Sequence, residues 1–67
     1  MKIAERYDYI ARVVSTDGAE NNQYFDDEER ARDFAYAVGN APDVGGVEIL
    51  LMDWYMHQET SLDYIEA

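Results

Sequence analysis

The residues best able to do chemistry in this chain are acids. Asp26-Asp27-Glu28-Glu29 places four carboxylates in succession, and Asp33 follows Glu29 at helical spacing. Carboxylate oxygens suit Ca²⁺ or Mg²⁺, but the run lacks the ligand spacing and central glycine of a calcium loop, and consecutive helical residues point in different directions. No metal and no other cofactor is expected. His57 is the single histidine, and no Ser-His-Asp or Cys-His arrangement assembles around it. It reads as an exposed residue near a turn, with a protonation switch as the alternative. Gly45-Gly46 has no partnered Lys-Ser/Thr and precedes a strand pattern, which is unlike a phosphate loop. The chain is expected not to be an enzyme.

Composition narrows what the carboxylates can meet. The 67 residues hold 15 Asp and Glu against five Lys and Arg, a formal charge of -10. Repulsion excludes direct binding to nucleic acid, because a duplex carries about one negative charge per 1.7 Å of its axis. Anionic membranes are disfavoured for the same reason, and a basic partner is favoured. Hydrophobic residues at 48% and aromatics at 13% exceed what a disordered acidic tail carries, so the acid belongs to a folded scaffold. A chain this short can build one thin core, which predicts a single domain over residues 1–67. It has no cysteine, hence neither disulfides nor a thiolate metal site. No apolar run approaches the roughly 18 residues of a membrane span, and no signal-peptide core follows Lys2, so a cytoplasmic protein is expected.

Periodicity supplies the elements that must position the acids. Tyr7 to Ser15 alternates Tyr7, Tyr9, Ala11 and Val13 with Asp8, Ile10, Arg12 and Val14, which predicts a strand. Asp17-Gly18 signals a hairpin turn into a return strand from Asn21 to Phe25. Asp26 is the predicted cap of a helix from Asp27 to Val38, with Glu29 completing a capping box and Asp27 and Glu28 favoured by the helix dipole. Ala31, Phe34, Ala35 and Val38 form its buried stripe, and Gly39-Asn40 followed by Pro42 stops it. Glu28 and Arg32 are spaced for an ion pair. Val47 to Met56 is apolar on both faces and predicts a central strand. A turn is expected near Gln58-Glu59-Thr60, after which Ser61 to Ile65 is either an edge strand or a helical turn.

The predicted fold class is therefore α+β: a three- or four-stranded antiparallel sheet in the order β-β-α-β, with an optional final strand, and one helix packed on one face. A right-handed crossover past the first strand gives a sheet order of 2-1-3-4. The other face would carry some of the tyrosines with Trp54 or Tyr55, and an open aromatic patch of that kind is usually a contact surface.

Charge is unevenly distributed along the chain. The first 32 residues are net -3, whereas Asp33 to Ala67 has seven acids, no Lys or Arg, and a net charge of -7. Solvating a helix start does not require that. Carboxylates four apart on a helix, such as Glu29 and Asp33, are separated by about 6 Å along the axis, and alternate strand residues by about 6.6–6.8 Å. Such spacings resemble successive phosphates on one nucleic-acid strand. The partner-binding candidates are Asp26, Asp27, Glu28, Glu29 and Asp33, and next Glu48, Asp53 and Asp63.

In size, charge and element order the whole chain resembles small acidic phage-encoded inhibitors of bacterial defence, particularly the anti-CRISPR proteins that act as DNA mimics. The antirestriction proteins are similar in charge. The resemblance implies an inhibitor working in the host cytoplasm, as a monomer or homodimer, that blocks the basic DNA-binding surface of a CRISPR effector or another nucleic-acid-binding protein. Two rival readings stand beside it: a halophile-adapted domain, since Lys2 is the only lysine, and an adaptor that docks by its aromatic sheet face.

Overall fold

The computed structural model describes residues 7–66; the N-terminal stretch read as lacking a signal peptide lies outside the described residues. Strand β1 (Tyr7–Ser15) pairs antiparallel with β2 (Glu20–Phe25). The Gly18 amide donates to the Ser15 carbonyl at 2.9 Å, and the Ser15 amide to the Ala19 carbonyl at 2.8 Å. Gly18 has φ 92°, a conformation with no steric cost to glycine. Asp17-Gly18 thus makes the expected turn, and the Asp17 carboxylate accepts from the Ala19 amide at 3.1 Å.

Helix α1 (Glu28–Val38) begins one residue later than its sequence pattern predicts. The cap is Asp27, whose Oδ1 accepts from the Glu29 amide at 2.8 Å. This replaces the expected Asp26 cap and its capping box with Glu29. Both aspartates of the run are suitable caps, and the cap falls to Asp27, whose backbone is extended with φ -144° and ψ 130°. At the other end the helix stops where expected. Gly39 is right-handed, and the chain leaves through turns in which Ala41 donates to Val38 and Val44 donates to Ala41.

Strand β3 (Val44–Asp53) lies beside β1, and β4 (Gln58–Glu66) beside β3, both antiparallel. The sheet order is β2-β1-β3-β4, as the sequence predicts. The final segment is a strand, resolving the strand-or-helix alternative. Strand boundaries differ: β3 begins at Val44 rather than Val47, taking Gly45-Gly46 into the strand, and ends at Asp53 rather than Met56, and β4 begins at Gln58 rather than Ser61 because the turn comes before Gln58 rather than at Gln58-Glu59-Thr60. Asp53 accounts for the end of β3 and the earlier turn. Its Oδ1 accepts from the amides of Tyr55 and Met56 at 3.0 and 3.2 Å, bending the chain there, and His57 completes the loop at φ 53°.

One face of the sheet receives the helix. Ala11, Val47 and Ile49 from the sheet meet Ala31 and Ala35 from α1, with Val44 closing the end, and Phe25, Phe34, Val38 and Ile65 border them. Alanines on both sides of the interface let the helix backbone approach closely. Phe25 and Phe34 seal one end with ring centroids 5.4 Å apart.

Candidate functional site

The acids predicted to bind a partner do not converge on one surface. Asp26 is exposed at the helix start, with Arg30 at 3.9 Å. Asp27 is the cap. Glu28 and Asp63 converge on Arg32, whose Nε lies 2.9 Å from Glu28 Oε2 and whose Nη1 lies 2.9 Å from Asp63 Oδ2. The pair Glu28–Arg32 is the one the helical spacing predicts; the link to Asp63 ties the helix to β4. Asp53 caps the β3–β4 turn.

The Arg32 hydrogen bond holds the Asp63 carboxyl below its ordinary value of 3.8, aided by the Tyr64 amide, while Glu28 and Asp63 raise Arg32. A depressed carboxyl binds protons less readily in the folded chain than in the unfolded one. Its stabilising contribution is complete above the unfolded value and is lost as pH falls through the folded value. Carbon-detected NMR should find the Asp63 titration midpoint moved upward in Arg32→Gln. Equal midpoints would show that Arg32 does not govern it.

Glu29 and Asp33 differ from these acids. Both are exposed on the outer side of α1, and neither joins an ion pair among the described residues. They stand four residues apart, about 6 Å along the helix axis, whereas Asp26 precedes the extended cap residue and lies off the helix.

Glu48 belongs to the opposite face. There Arg12, on β1, reaches across the whole sheet. Its Nε donates to Asn22 Oδ1 at 3.1 Å, Nη1 lies 3.6 Å from Glu48 Oε1, and Nη2 donates to Glu59 Oε1 and Oε2 at 3.2 and 3.1 Å. Ser61 Oγ donates to Glu48 Oε2 at 2.9 Å, so the polar band includes all four strands. Below it, Ile10 is only 1% exposed although, among the described residues, no helix covers this face. Tyr24 stands directly opposite Ile10 in the register, and Trp54 lies with its ring centroid 6.1 Å from that of Tyr24. The Trp54 indole donates to Asp8 Oδ2 at 2.7 Å, holding the ring back over the sheet.

No family model, curated protein or solved structure matches this chain. Its functional reading therefore stands on its own residues. Among the described residues no group of three or more His, Asp or Glu is placed to hold a metal ion, and no helix is long and apolar enough to cross a membrane.

Two features escaped the sequence reading. Arg12 organises the open face from the middle of β1, and its carboxylate partner Glu59 lies 47 positions away. Tyr64 lies over Gly46, where a β-carbon would strike its hydroxyl and ring. The second was hidden because the sequence pattern puts Gly46 before the strand, whereas it lies inside β3, where a glycine often marks a close approach by another group.

Proposed function

We propose that this protein is an anti-CRISPR-type inhibitor: an acidic DNA mimic that occupies the basic target-DNA surface of a phage-defence effector in the host cytoplasm. The observation that carries this reading is the outer acid pair of α1. Arg12, Arg30 and Arg32 are each engaged by the chain's own carboxylates. Glu29 and Asp33 are left exposed and outside the ion pairs of the described residues, while Asp26 is the partner of Arg30. Charge-assisted contacts from Lys and Arg of a phosphate-binding groove would suit such a pair. Inhibition then consists of electrostatic steering and blockade, with fast association, strong salt dependence and no chemistry.

The contact reading is narrower than the sequence suggests. Glu28, Glu48 and Asp63 are largely neutralised by arginines, and Asp27 and Asp53 accept backbone amides. These five would shape the field without leading the contact.

The test is competition. Purified protein is incubated with candidate CRISPR effector complexes, and target DNA is titrated in. Mutually exclusive binding that weakens as salt rises is expected. Simultaneous binding of DNA and protein by every effector that captures the protein would refute the mimic mechanism.

A further inference from the structure

The face of the sheet that the helix leaves uncovered has its own acid surplus, arranged differently from that of the helix. The register puts Glu20, Val14, Gly46 and Glu66 in one row across the four strands, and Asn22, Arg12, Glu48 and Tyr64 in the next. Arg12 is occupied by Glu48 and Glu59. Glu20 and Glu66 are exposed and join no ion pair among the described residues. They stand three strand spacings apart, about 14 Å.

Tyr64 lies between them. Its hydroxyl end rests on Gly46, in the space a side chain there would fill, and the residue is 50% exposed. The ring is thus laid down on the sheet, with one side against backbone and the other toward solvent. A broad aromatic surface next to an unpaired carboxylate favours a cation, through the ring quadrupole and the charge together. Arginine suits it better than lysine, because a planar guanidinium can stack on the ring while donating sideways to the carboxylate.

We propose that this corner of the open sheet face, Tyr64 with Glu66 and Glu20, docks an arginine-bearing segment of a basic protein partner. Charge selects the occupant. A second copy of this chain would bring acid against acid, and the described arginines of the chain itself are engaged elsewhere. The inference shares with the proposed function only its need for a basic partner; it concerns the opposite side of the molecule and predicts a preference among cations.

Two short blocked peptides, one alternating arginine with glycine and the other lysine with glycine, equal in length and charge, serve as probes at low salt. Binding is followed by amide and ring resonances of the isotopically labelled protein. The arginine peptide should shift Gly46, Tyr64, Glu66 and Glu20 and bind tighter than the lysine peptide by up to about two- to five-fold, the full worth of an exposed cation–π contact. Tyr64→Leu should abolish that preference. Should Tyr64→Leu fail to fold, Gly46→Ala does the same work: its new methyl meets the far end of the Tyr64 side chain and must displace the ring. Equal binding of the two peptides, no binding of either, a preference that survives ring removal or displacement, or shifts confined to Glu29 and Asp33 would each overturn the inference. None of these outcomes decides the effector competition experiment, which can fail or succeed independently.

Discussion

Ile49→Ala is expected to destabilise the protein by about 2–5 kcal/mol, the usual cost of emptying a buried isoleucine site. Ile49 has no exposed surface and sits at the centre of β3, opposite Ala11. The upper part of that range is the expectation, because its neighbours in the core include Ala11, Ala31 and Ala35. An alanine has no side-chain rotamer with which to move into a void, so the cavity would persist. Globular proteins retain about 0.05–0.15 kcal/mol of stability per residue, or roughly 3–10 kcal/mol for a chain of this length. One truncation therefore removes a large share of the total. Urea denaturation followed by Trp54 fluorescence and far-UV circular dichroism measures the loss, with Ile49→Val as the mild control at about 0.5–1.5 kcal/mol. A loss below about 1 kcal/mol for the alanine variant would contradict the core described for this fold.

Reversal of Glu29 and Asp33 to lysine together should abolish competition with target DNA, lowering affinity for the inhibited effector by about 100-fold or more. Truncating a single charge in a buried, hydrogen-bonded interface pair costs about 2–5 kcal/mol, and reversal adds repulsion to that loss. Each reversal changes the charge by two, taking the protein from -10 to -6. Most of the acid remains, so a general loss of net charge would produce only a modest effect. The helix should survive. A lysine in its first turn opposes the helix dipole by about 0.3–1 kcal/mol, while the Lys-Lys repulsion merely replaces the like-charge repulsion already present between Glu29 and Asp33. Circular dichroism checks this, and Glu29→Gln with Asp33→Asn separates loss of attraction from added repulsion. Unchanged inhibition by a folded double-reversal variant would mean that α1 is not the contact. The same preparations address the halophile alternative, since a salt-adapted domain would unfold in low salt, where an electrostatic inhibitor should bind best.

Local signals made much of the fold readable. The alternation of Tyr7 to Ser15 reproduces β1, and the doubly apolar run after Gly46 identifies a central strand. The stripe of Ala31 and Ala35 identifies the buried side of α1. Errors arose where a single side chain outvotes a pattern. Trp54, Tyr55 and Met56 look like strand residues, but Asp53 draws the amides of Tyr55 and Met56 into a turn. Gln58-Glu59-Thr60 looks like a turn because it is polar, yet it lies at the sheet edge, where both sides of a strand can face water. The candidate acids were harder still. Glu28 and Arg32 are helical neighbours and legible as a pair, whereas Arg32–Asp63 and Arg12–Glu59 join residues far apart in the chain. Sequence shows how many carboxylates there are; only the register shows which of them an arginine has already claimed.

The place of β1 at the middle of the sheet, between its hairpin partner β2 and the late-arriving β3, governs how the chain can assemble. The β1–β2 and β3–β4 ladders are closed by short loops and can form from neighbouring residues. The β1–β3 ladder joins Tyr7 to Asp53 and Ser15 to Val44, so its closure entropy falls due before its contacts form. Helix α1 spans the connection and brings Ala31 and Ala35 to the seam where the two hairpins meet. Folding is thus expected to be a docking of two local units, with the rate set at the Ala11–Ile49 pairing and not at the acidic edges. Refolding of Ile49→Val, slowed in proportion to its lost stability, would be the kinetic signature of that seam.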